Sequence, residues 1–483
     1  MSELCHQSAT EIAAAIRERR VSSMEVVESF LACIARRNPV INAVVTLDEE
    51  GARRRAKEAD DALMHGELWG PLHGIPVTFK DMFETKGMRT TASFEPLANY
   101  IPETDAPLVA RMRSAGAIVL GKTHMPRLCG DCQATSPMFG ITRNPWNPDR
   151  TPGGTSGGEA AAISAGFSAL GVGGDFGGSV RSPAHYCGVY SFKPGDHRIP
   201  NRGKIPPLPG GLQTARCMEV SGAMARSVAD LRLWFTVVAG PDPEEPDIMP
   251  IPLGDSPPRR LEQLRLAWSD DLGGVPVAEE TRRALADFAK KLEREGVHIE
   301  KRLPEGFDFQ AAFRVYFELY AAMVFSVLPR GRRFVSSLVR PLVRDPCYRV
   351  ALGRISTNAR QYFQSLAERD HLRVALSRFL SRYDAFLCPV TSDCAFRHRR
   401  PYRPDLPLEV DGKPTSGVLA TMAHTMVFSL TGNPVVGLPI ALSKEGLPIG
   451  VQVVGRSWGE MELLRVAEIL AEIIGPYCPP PTI

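Results

Sequence analysis

The sequence predicts an α/β protein in which a large mixed β-sheet forms the core and helices flank both faces of the sheet. Three observations support this fold class. The chain opens with helical periodicity, residues 70–230 contain short β-branched runs separated by Gly and Pro, and strand-like and helical segments alternate again after residue 260. We expect the whole chain, residues 1–483, to form a single domain, as large α/β proteins often do.

The first part of the chain begins with helices and continues with strands. Apolar side chains at Ile12, Ile16, Val27 and Ile34 recur among Glu and Arg at helical spacing, which predicts helices over residues 8–37. The runs IPVTF and AIVLG then predict two short strands, and the Gly- and Pro-rich segments around them predict loops. We expect the chemistry of the protein to reside in these loops.

The second part of the chain returns to alternating strands and helices. After a Pro- and Asp-rich connection at residues 241–260, LRLAW predicts a strand, and the segment TRRALADFAKKLEREG predicts a helix that ends at Gly296. Residues 309–382 are helical in pattern and rich in aromatic side chains and in Arg, and we expect these arginines to lie on a solvated face. The closing strands are predicted by AFLCPV, VVGLPIAL and LPIGVQVVG, and the last helix by EMELLRVAEILAEI.

The composition argues against several classes of protein. Apolar residues make up 44% and charged residues 23% of the 483 residues, which is typical of a globular protein. The 57 basic residues are spread among 54 acidic ones, so the net charge of +3 predicts neither a nucleic-acid partner nor a membrane partner. No apolar run of about 18 residues predicts a membrane span, and the opening MSELCHQSATEIAAAIRERR lacks the apolar run of a signal peptide. We therefore expect a cytoplasmic protein.

The ten cysteines are few for a chain of this length. Cys129 and Cys132 form a C-x-x-C pair, but no second pair at a matching spacing completes a zinc site. We expect reduced structural thiols rather than a redox site or a metal site, and the sequence predicts no metal ion and no cofactor.

Residues 151–183 form a glycine-dense stretch with two groups of hydroxyl side chains. Glycine at this density lets backbone N–H groups turn toward a bound anion, because no Cβ blocks a close approach. A phosphate-binding loop is disfavoured, since no G-x-x-x-x-G-K-[ST] occurs and Phe176 stands where G-x-G-x-x-G requires its third glycine. A nucleophile elbow centred on Ser156 is also disfavoured, because the preceding NPWNPDRTP contains three prolines and cannot form the strand that an elbow needs.

Several blocks resemble the amidase signature family, in the same order and along nearly the whole chain. The central blocks are GIPVTFKD, GGTSGG and DFGGSVRSP, and around them stand GITRNPWNP, CGVYSFKP, GAMARSVAD and LTGNPVVGLPIALSKEGLPIGVQVVG. The resemblance implies the amidase-signature fold and an amidase that hydrolyses a C–N amide bond, or a related anilide, carbamate or ester bond, of a small molecule. Residues 70–230 would be the signature core, residues 241–420 a variable region that determines the substrate, and residues 421–483 a return to the sheet.

Matched position by position, the resemblance implies a catalytic relay of three side chains. Ser179 would attack the carbonyl carbon and form an acyl-enzyme, with Lys80 as the base behind it. The bridging serine of the family corresponds to Thr155, because the interval of 24 residues between Thr155 and Ser179 matches the family and the interval of 23 residues from Ser156 does not. Since a free lysine has a pKa of about 10.4, we expect Lys80 to be buried and neutral.

The resemblance also implies an oxyanion hole and a set of supporting residues. The hole would consist of the backbone N–H groups of Phe176, Gly177 and Gly178, together with that of Ser179. In the family the bridging residue follows a cis peptide bond, and a buried Asp–Arg ion pair is expected to brace the loop. The supporting residues predicted in this way are Gly154, Ser156, Asp175 and Arg181.

Some positions around the site depart from the family pattern. They are Arg127, Thr155, Ser191, Gly195, His197 and Ala223. These departures keep two alternatives open: a degenerate member that binds an amide ligand with little turnover, and the glutamine-hydrolysing subunit of a tRNA-dependent amidotransferase. The aromatic segment at residues 309–382 favours an apolar acyl or aryl substrate instead. The sequence does not decide whether the protein is a homodimer.

Overall fold

The computed structural model describes residues 4–254, 259–328, 331, 338, 340–343, 345–399 and 407–481. Most of the other residues belong to the predicted variable region 241–420, so part of that prediction lies outside the described residues. Within the described ranges, no helix is both long and apolar enough to cross a membrane.

The core of the fold is a mixed sheet. The strands of the described chain are β1 (Val44–Leu47), β2 (Pro76–Lys80), β3 (Ile118–Thr123), β4 (Thr135–Ser136), β5 (Gly140–Ile141), β6 (Leu170–Asp175), β7 (Tyr190–Lys193), β8 (Val220–Ala225), β9 (Arg265–Trp268), β10 (His298–Lys301), β11 (Ala385–Pro389), β12 (Leu408–Val410), β13 (Lys413–Thr415), β14 (Val435–Leu442) and β15 (Pro448–Val454). Eleven of them form one sheet in the spatial order β1-β3-β2-β6-β8-β7-β14-β15-β11-β9-β10. β2 is parallel to β3 and β6, and β9 is parallel to β10 and β11, whereas the other neighbours are antiparallel.

Helices cover both faces of this sheet. The α-helices of the described chain are α1 (Ala9–Arg17), α2 (Ser23–Ile41), α3 (Glu49–Met64), α4 (Pro107–Ser114), α5 (Gly157–Ser164), α6 (Arg181–Cys187), α7 (Val228–Val238), α8 (Glu279–Arg294), α9 (Phe309–Phe325), α10 (Pro346–Gly353), α11 (Ala359–Leu380), α12 (Gly417–Thr431) and α13 (Glu460–Ile474). In β14, Val436 belongs to an apolar cluster with α2 and α13, whereas its neighbour Val435 belongs to a second cluster with α9 and α12. Because successive strand residues point to opposite faces, both faces are buried, which confirms the predicted fold class.

The predicted elements form for the reasons that the sequence suggests. α1 and α2 each begin with a capping box, in which the serine N-cap and a glutamate three residues later, Ser8 with Glu11 and Ser22 with Glu25, satisfy each other's backbone N–H groups. α8 ends just before Gly296, whose φ of +94° suits a residue that follows a helix. The helices over residues 8–37 and the strands at IPVTF and AIVLG are thus confirmed.

The glycine-dense stretch contains regular structure that the sequence did not predict. It folds into α5, β6 and the start of α6. β6 is rich in glycine because α5 packs directly on it: a Cβ at Gly171 would lie 2.1 Å from Glu159 Oε1, and one at Gly173 would lie 2.4 Å from Ser156 Oγ. The absence of these side chains lets the helix approach the strand closely.

This packing brings the three central sequence blocks to one edge of the sheet. β2 and β6 are parallel neighbours, with Val77 opposite Leu170 and Phe79 opposite Val172, so their carboxyl ends lie side by side. β2 ends at Lys80, and β6 runs into the loop that carries Ser179. Thr155 stands two residues before the first turn of α5, above the same edge.

Candidate active site

A cavity of about 230 Å³ opens at the carboxyl ends of β2 and β6. Lys80, Thr155 and Ser179 all line it, although they are separated by as many as 99 residues in the chain. Lys80 is fully buried, Thr155 is 7% exposed, and Ser179 is partly accessible. The structure therefore brings together the three side chains of the predicted relay, with the serine nearest to the open space.

Lys80 lies in direct contact with Thr155. Its Nζ atom donates a hydrogen bond to Thr155 Oγ1. Burial lowers the pKa of Lys80 from its ordinary value, because desolvation disfavours the charged ammonium form. A neutral amine at this position has a lone pair that can accept a proton from the threonine hydroxyl.

Thr155 and its neighbour Ser156 occupy different environments. The peptide bond between Gly154 and Thr155 is cis, as the resemblance implies, and the Thr155 side chain faces the cavity. Ser156 is fully buried, its hydroxyl lies 3.4 Å from the Gly174 carbonyl oxygen, and its N–H donates to the Ser179 carbonyl at 3.1 Å. Ser156 therefore holds the backbone of Ser179, whereas the Thr155 hydroxyl faces the cavity beside Lys80.

Residues 176–179, which we call the oxyanion loop, differ in how their N–H groups are used. The Gly178 N–H donates to Asp175 Oδ1 at 2.8 Å. Within the described residues, the N–H groups of Phe176, Gly177 and Ser179 donate to no protein acceptor. Of the four predicted donors, three are therefore available to a substrate oxygen. The fourth, the Gly178 N–H, is not available, because it is already bonded to a carboxylate.

The ion pair of Asp175 and Arg181 braces this loop from below. Both side chains are fully buried, and Arg181 Nη2 lies 2.8 Å from Asp175 Oδ1. Burial alone would favour the neutral acid, but the adjacent guanidinium reverses this effect and lowers the pKa of Asp175 to about 2. Arg181 also donates, at 2.8 Å each, to the Thr425 carbonyl, to Gln452 Oε1 and to Ser429 Oγ. The pair therefore ties the loop to α12 and β15.

A second set of buried polar side chains lies behind β2, and sequence reasoning did not find it. Glu159 of α5 accepts hydrogen bonds from the hydroxyls of Thr78 and Thr123, and burial raises its pKa to about 7. Lys122 donates to the Phe83 carbonyl, and burial lowers its pKa to about 8. Because these groups are hydrogen-bonded to other protein groups and do not line the cavity, they support the strands rather than contact a substrate.

One side of the cavity is apolar. We call it the distal wall, and it consists of Tyr316, Phe317, Tyr320, Met323, Tyr348, Val418 and Met422. These residues come from α9, α10 and α12. The Phe176 ring completes the surface, with its centroid 6.4 Å from that of Tyr316 and 5.3 Å from that of Tyr320. The only sequence signal for this wall is the helical spacing of the aromatic residues in α9.

A few polar groups interrupt the cavity surface. Glu219 forms an ion pair with Lys204 at 3.0 Å, and burial raises the pKa of Asp131 to about 6. Cys129 and Cys132 also line the cavity and are not joined in a disulfide. The two thiols were expected to be structural, and the structure places them within reach of a bound ligand.

One group of described side chains has donor atoms close enough together to hold a metal ion. Cys5, His6 and Cys33 contribute atoms that all lie within 4.8 Å of one another. Arg37 Nη1 lies 3.3 Å from His6 Nε2, so a cationic group already faces one side of this set. None of the three residues lines the cavity, and the group is therefore separate from the candidate active site.

Comparisons with known proteins agree with this arrangement. Residues 25–464 match the Amidase family. The chain is 30% identical over 489 residues to the glutamyl-tRNA(Gln) amidotransferase A subunit of Carboxydothermus hydrogenoformans, with 96% of each chain covered. It is also 30% identical over 496 residues to the same subunit of Geobacillus stearothermophilus, again with 96% of each chain covered.

Solved structures show the same relationship. An amidase superimposes with a TM-score of 0.79 and 27% identity, covering 96% of this chain and 99% of the other. A 6-aminohexanoate cyclic dimer hydrolase, solved with its substrate, superimposes with a TM-score of 0.79 and 26% identity, covering 98% of each chain. The chain therefore belongs to the amidase signature family, whose fold it shares, and is a hydrolase of the kind that acts on carbon–nitrogen bonds.

Proposed function

We propose that this protein hydrolyses a linear amide bond of a small molecule through an acyl-enzyme on Ser179. The observation that carries this proposal is the contact between the fully buried Lys80 and Thr155 in the cavity that Ser179 lines. Burial lowers the pKa of Lys80, so a larger fraction of its amine is neutral at a given pH than in a free lysine, and a neutral amine can accept a proton from a hydroxyl nucleophile.

The reaction follows from this arrangement in two halves. Neutral Lys80 accepts the Thr155 proton while Thr155 accepts the Ser179 proton, and Ser179 Oγ forms a bond to the substrate carbonyl carbon. The proton then returns through Thr155 to the nitrogen, the C–N bond breaks, and the amine leaves. Water uses the same relay to attack the acyl-enzyme, which releases the carboxylic acid and restores Ser179.

The negative charge of the tetrahedral intermediate needs fixed hydrogen-bond donors. The N–H groups of Phe176, Gly177 and Ser179 are the donors that this chain leaves unengaged within its described residues. Donors that are oriented before the reaction stabilise the developing charge without reorganisation, and each one typically contributes about 3 kcal/mol.

The distal wall supports a substrate with an apolar acyl or aryl group. Its surface is aromatic and aliphatic, and Phe176 extends it to the edge of the oxyanion loop. Among the described residues that line the cavity there is no arginine, and the one lysine is Lys80 of the proposed relay, so the α-carboxylate of glutamine has no cationic side chain to pair with there. We also propose that the predicted variable region 241–420 determines the substrate, since α9 and α10 lie within it.

The glutaminase alternative has one specific observation in its favour. The curated relatives that match 96% of this chain at 30% identity are subunits of a tRNA-dependent amidotransferase. A subunit of this kind would need a protein partner and would release ammonia from glutamine. A degenerate binder remains the second alternative, because Thr155 stands where the family has serine.

The experiment that tests the proposal is intact-mass spectrometry after treatment with an alkyl fluorophosphonate. One phosphonyl group per chain is expected in the wild-type protein and none in Ser179→Ala, because the reagent reacts with an activated serine. Hexanoyl 4-nitroanilide, glutamine and a phenyl carbamate are then offered as substrates. Turnover of the anilide supports the proposal, turnover of glutamine alone supports the amidotransferase alternative, and a folded wild-type protein without label overturns the proposal in favour of a binder.

A further inference from the structure

We propose that Thr425 and Tyr316 are positioning residues that orient the oxyanion loop. This inference rests on the proposed function, because it concerns the donors for the same intermediate. Thr425 Oγ1 donates to the Gly177 carbonyl oxygen at 2.6 Å, and the Tyr316 hydroxyl donates to the Phe176 carbonyl oxygen at 3.4 Å. Two consecutive carbonyls of the loop are thus held by side chains from two different helices, α12 and α9.

Peptide geometry turns these carbonyl contacts into control of the N–H groups. In a trans peptide the C=O and the following N–H point in opposite directions. The Gly177–Gly178 peptide shows this directly: its carbonyl faces Thr425, and its N–H, that of Gly178, bonds to Asp175 at 2.8 Å. By the same geometry, a Phe176 carbonyl held by Tyr316 directs the Gly177 N–H away from Tyr316, and that N–H donates to no protein acceptor in the described chain.

The loop needs this restraint because it contains two adjacent glycines. Gly178 has a φ of +124°, a conformation that residues with a Cβ rarely adopt, and a Gly–Gly peptide rotates at low cost. Rotation of the Gly177–Gly178 peptide by half a turn would bring the Gly177 carbonyl oxygen toward the Asp175 carboxylate and remove the bond to Gly178. The hydroxyl of Thr425 and the carboxylate of Asp175 therefore hold this peptide from its two ends.

The side chains of Thr425 and Tyr316 also pack closely against the two glycines of the loop. A Cβ at Gly177 would lie 2.4 Å from the Tyr316 hydroxyl oxygen and 2.4 Å from Met422 Cε, and a Cβ at Gly178 would lie 2.2 Å from Thr425 Oγ1. Both glycines thus leave room for the side chains that hold the loop, and Gly178 also provides its backbone conformation.

The two contacts differ in strength, and the difference predicts the size of each effect. A threonine hydroxyl has one proton, and Thr425 Oγ1 has two acceptors, the Gly177 carbonyl at 2.6 Å and the Met422 carbonyl of its own helix at 3.0 Å. The shorter contact is the one to the loop. The Tyr316 contact at 3.4 Å is long for a hydroxyl donor, so its removal should cost less.

The test removes each hydroxyl without changing the shape of the side chain. Thr425→Val and Tyr316→Phe are compared with Thr425→Ser, which keeps the hydroxyl. The matched control is Thr421→Val, one turn earlier in α12, because among the described residues the Thr421 hydroxyl donates only to the Gly417 and Val418 carbonyls of its own helix. The thermal unfolding midpoint of each variant is recorded to identify any loss of fold.

The readout is the rate of Ser179 phosphonylation by the alkyl fluorophosphonate, followed by intact mass. In this step the Ser179 Oγ–P bond forms, the P–F bond breaks, fluoride leaves, and the serine proton passes to the Thr155–Lys80 pair, while the phosphonyl oxygen takes up charge beside the loop. We expect Thr425→Val to slow the reaction by about 10- to 100-fold and Tyr316→Phe by about 3- to 10-fold. Thr425→Ser and Thr421→Val should remain within about threefold of the wild-type rate. With hexanoyl 4-nitroanilide, the loss should appear in kcat and leave KM unchanged.

The outcomes separate this inference from the proposed function. Equal rates in the wild-type protein and Thr425→Val, an equal loss in Thr421→Val, or a loss confined to KM would overturn the positioning role. If Thr425→Val does not fold, Tyr316→Phe decides by the same criteria. A wild-type protein that is never phosphonylated overturns the proposed function and, with it, this inference.

Discussion

The signature core at residues 70–230 and the distal wall both line one cavity, but they are built in different ways. The core supplies Lys80 from the last position of β2, Thr155 from the segment before α5 and Ser179 from the loop after β6, and each of the three lies in a recognisable motif block. The distal wall comes from α9, α10 and α12, which carry no shared motif and pack together in one apolar cluster. The residues proposed to carry the chemistry can therefore be inferred from sequence motifs, whereas the shape of the substrate site depends on long-range packing.

The largest predicted effect tests the chemistry of the core. Lys80→Met should lower the phosphonylation rate of Ser179 by at least about 10³-fold, because a proton relay without its base contributes little. In the wild-type protein the rate should rise with pH as Lys80 loses its proton, and burial places this rise below the ordinary lysine pKa of 10.5. A rate–pH profile of both proteins checks this, and a rise that persists in Lys80→Met would show that another group is the base.

The next effect concerns the junction between the two regions. Arg181 joins Asp175 of the core to α12, so Arg181→Met should lower the free energy of unfolding by about 3–5 kcal/mol, since it leaves a buried carboxylate unpaired. Urea unfolding at neutral pH measures this change. The control is Arg283→Met, which breaks the exposed pair of Arg283 with Glu279 and should cost less than about 0.5 kcal/mol. Equal losses in the two variants would mean that the buried pair is not a structural brace.

The third prediction examines the substituted residue of the relay. Thr155→Ser should stay within about threefold of the wild-type activity or exceed it, whereas Thr155→Val should lose about 10²-fold because the hydroxyl is removed. Ser156→Ala should have a smaller effect, since the Ser156 hydroxyl makes one long contact to Gly174 and does not line the cavity. The phosphonylation rates of the three variants show whether Thr155 or Ser156 is the relay residue. A larger loss in Ser156→Ala than in Thr155→Val would show that the assignment is wrong by one residue.

Much of the fold was predictable because its elements carry local signals. The capping serines of α1 and α2, the glycine after α8 and the β-branched runs of β2 and β3 each predict structure from neighbouring residues. β6 was missed because two of its glycines leave room for Glu159 of α5 and for Ser156, the residue before α5, and this requirement is visible only in the tertiary packing. The order of the strands in the sheet could not be predicted either, since it depends on pairings between strands that are far apart in sequence.

In the candidate site, too, the residues in sequence motifs were predicted, and the residues that act through tertiary contacts were not. Lys80, Thr155 and Ser179 were identified by their motif blocks and lie in one cavity, although their catalytic roles remain predictions. The use of the Gly178 N–H by Asp175 could not be foreseen, because it depends on the orientation of a single peptide. Thr425 and Tyr316 were missed since each stands in a helix without a catalytic motif and acts through a contact made across the fold.

The smallest predicted effect tests whether the distal wall selects the substrate. Tyr320→Ala removes a partly buried ring whose centroid lies 5.3 Å from that of Phe176, and an aromatic contact of this kind contributes about 0.5–1.5 kcal/mol. We therefore expect KM to rise about tenfold for a short acyl 4-nitroanilide and less for a longer one whose chain fills the new space, with kcat within about threefold of the wild-type value. Leu128→Ala, on the core side of the same cavity, is the comparison, and it should change KM without altering the preference for chain length. If Leu128→Ala alters that preference as much as Tyr320→Ala does, selectivity belongs to both regions, because a cavity that is enlarged from either side would then accept the same longer chains.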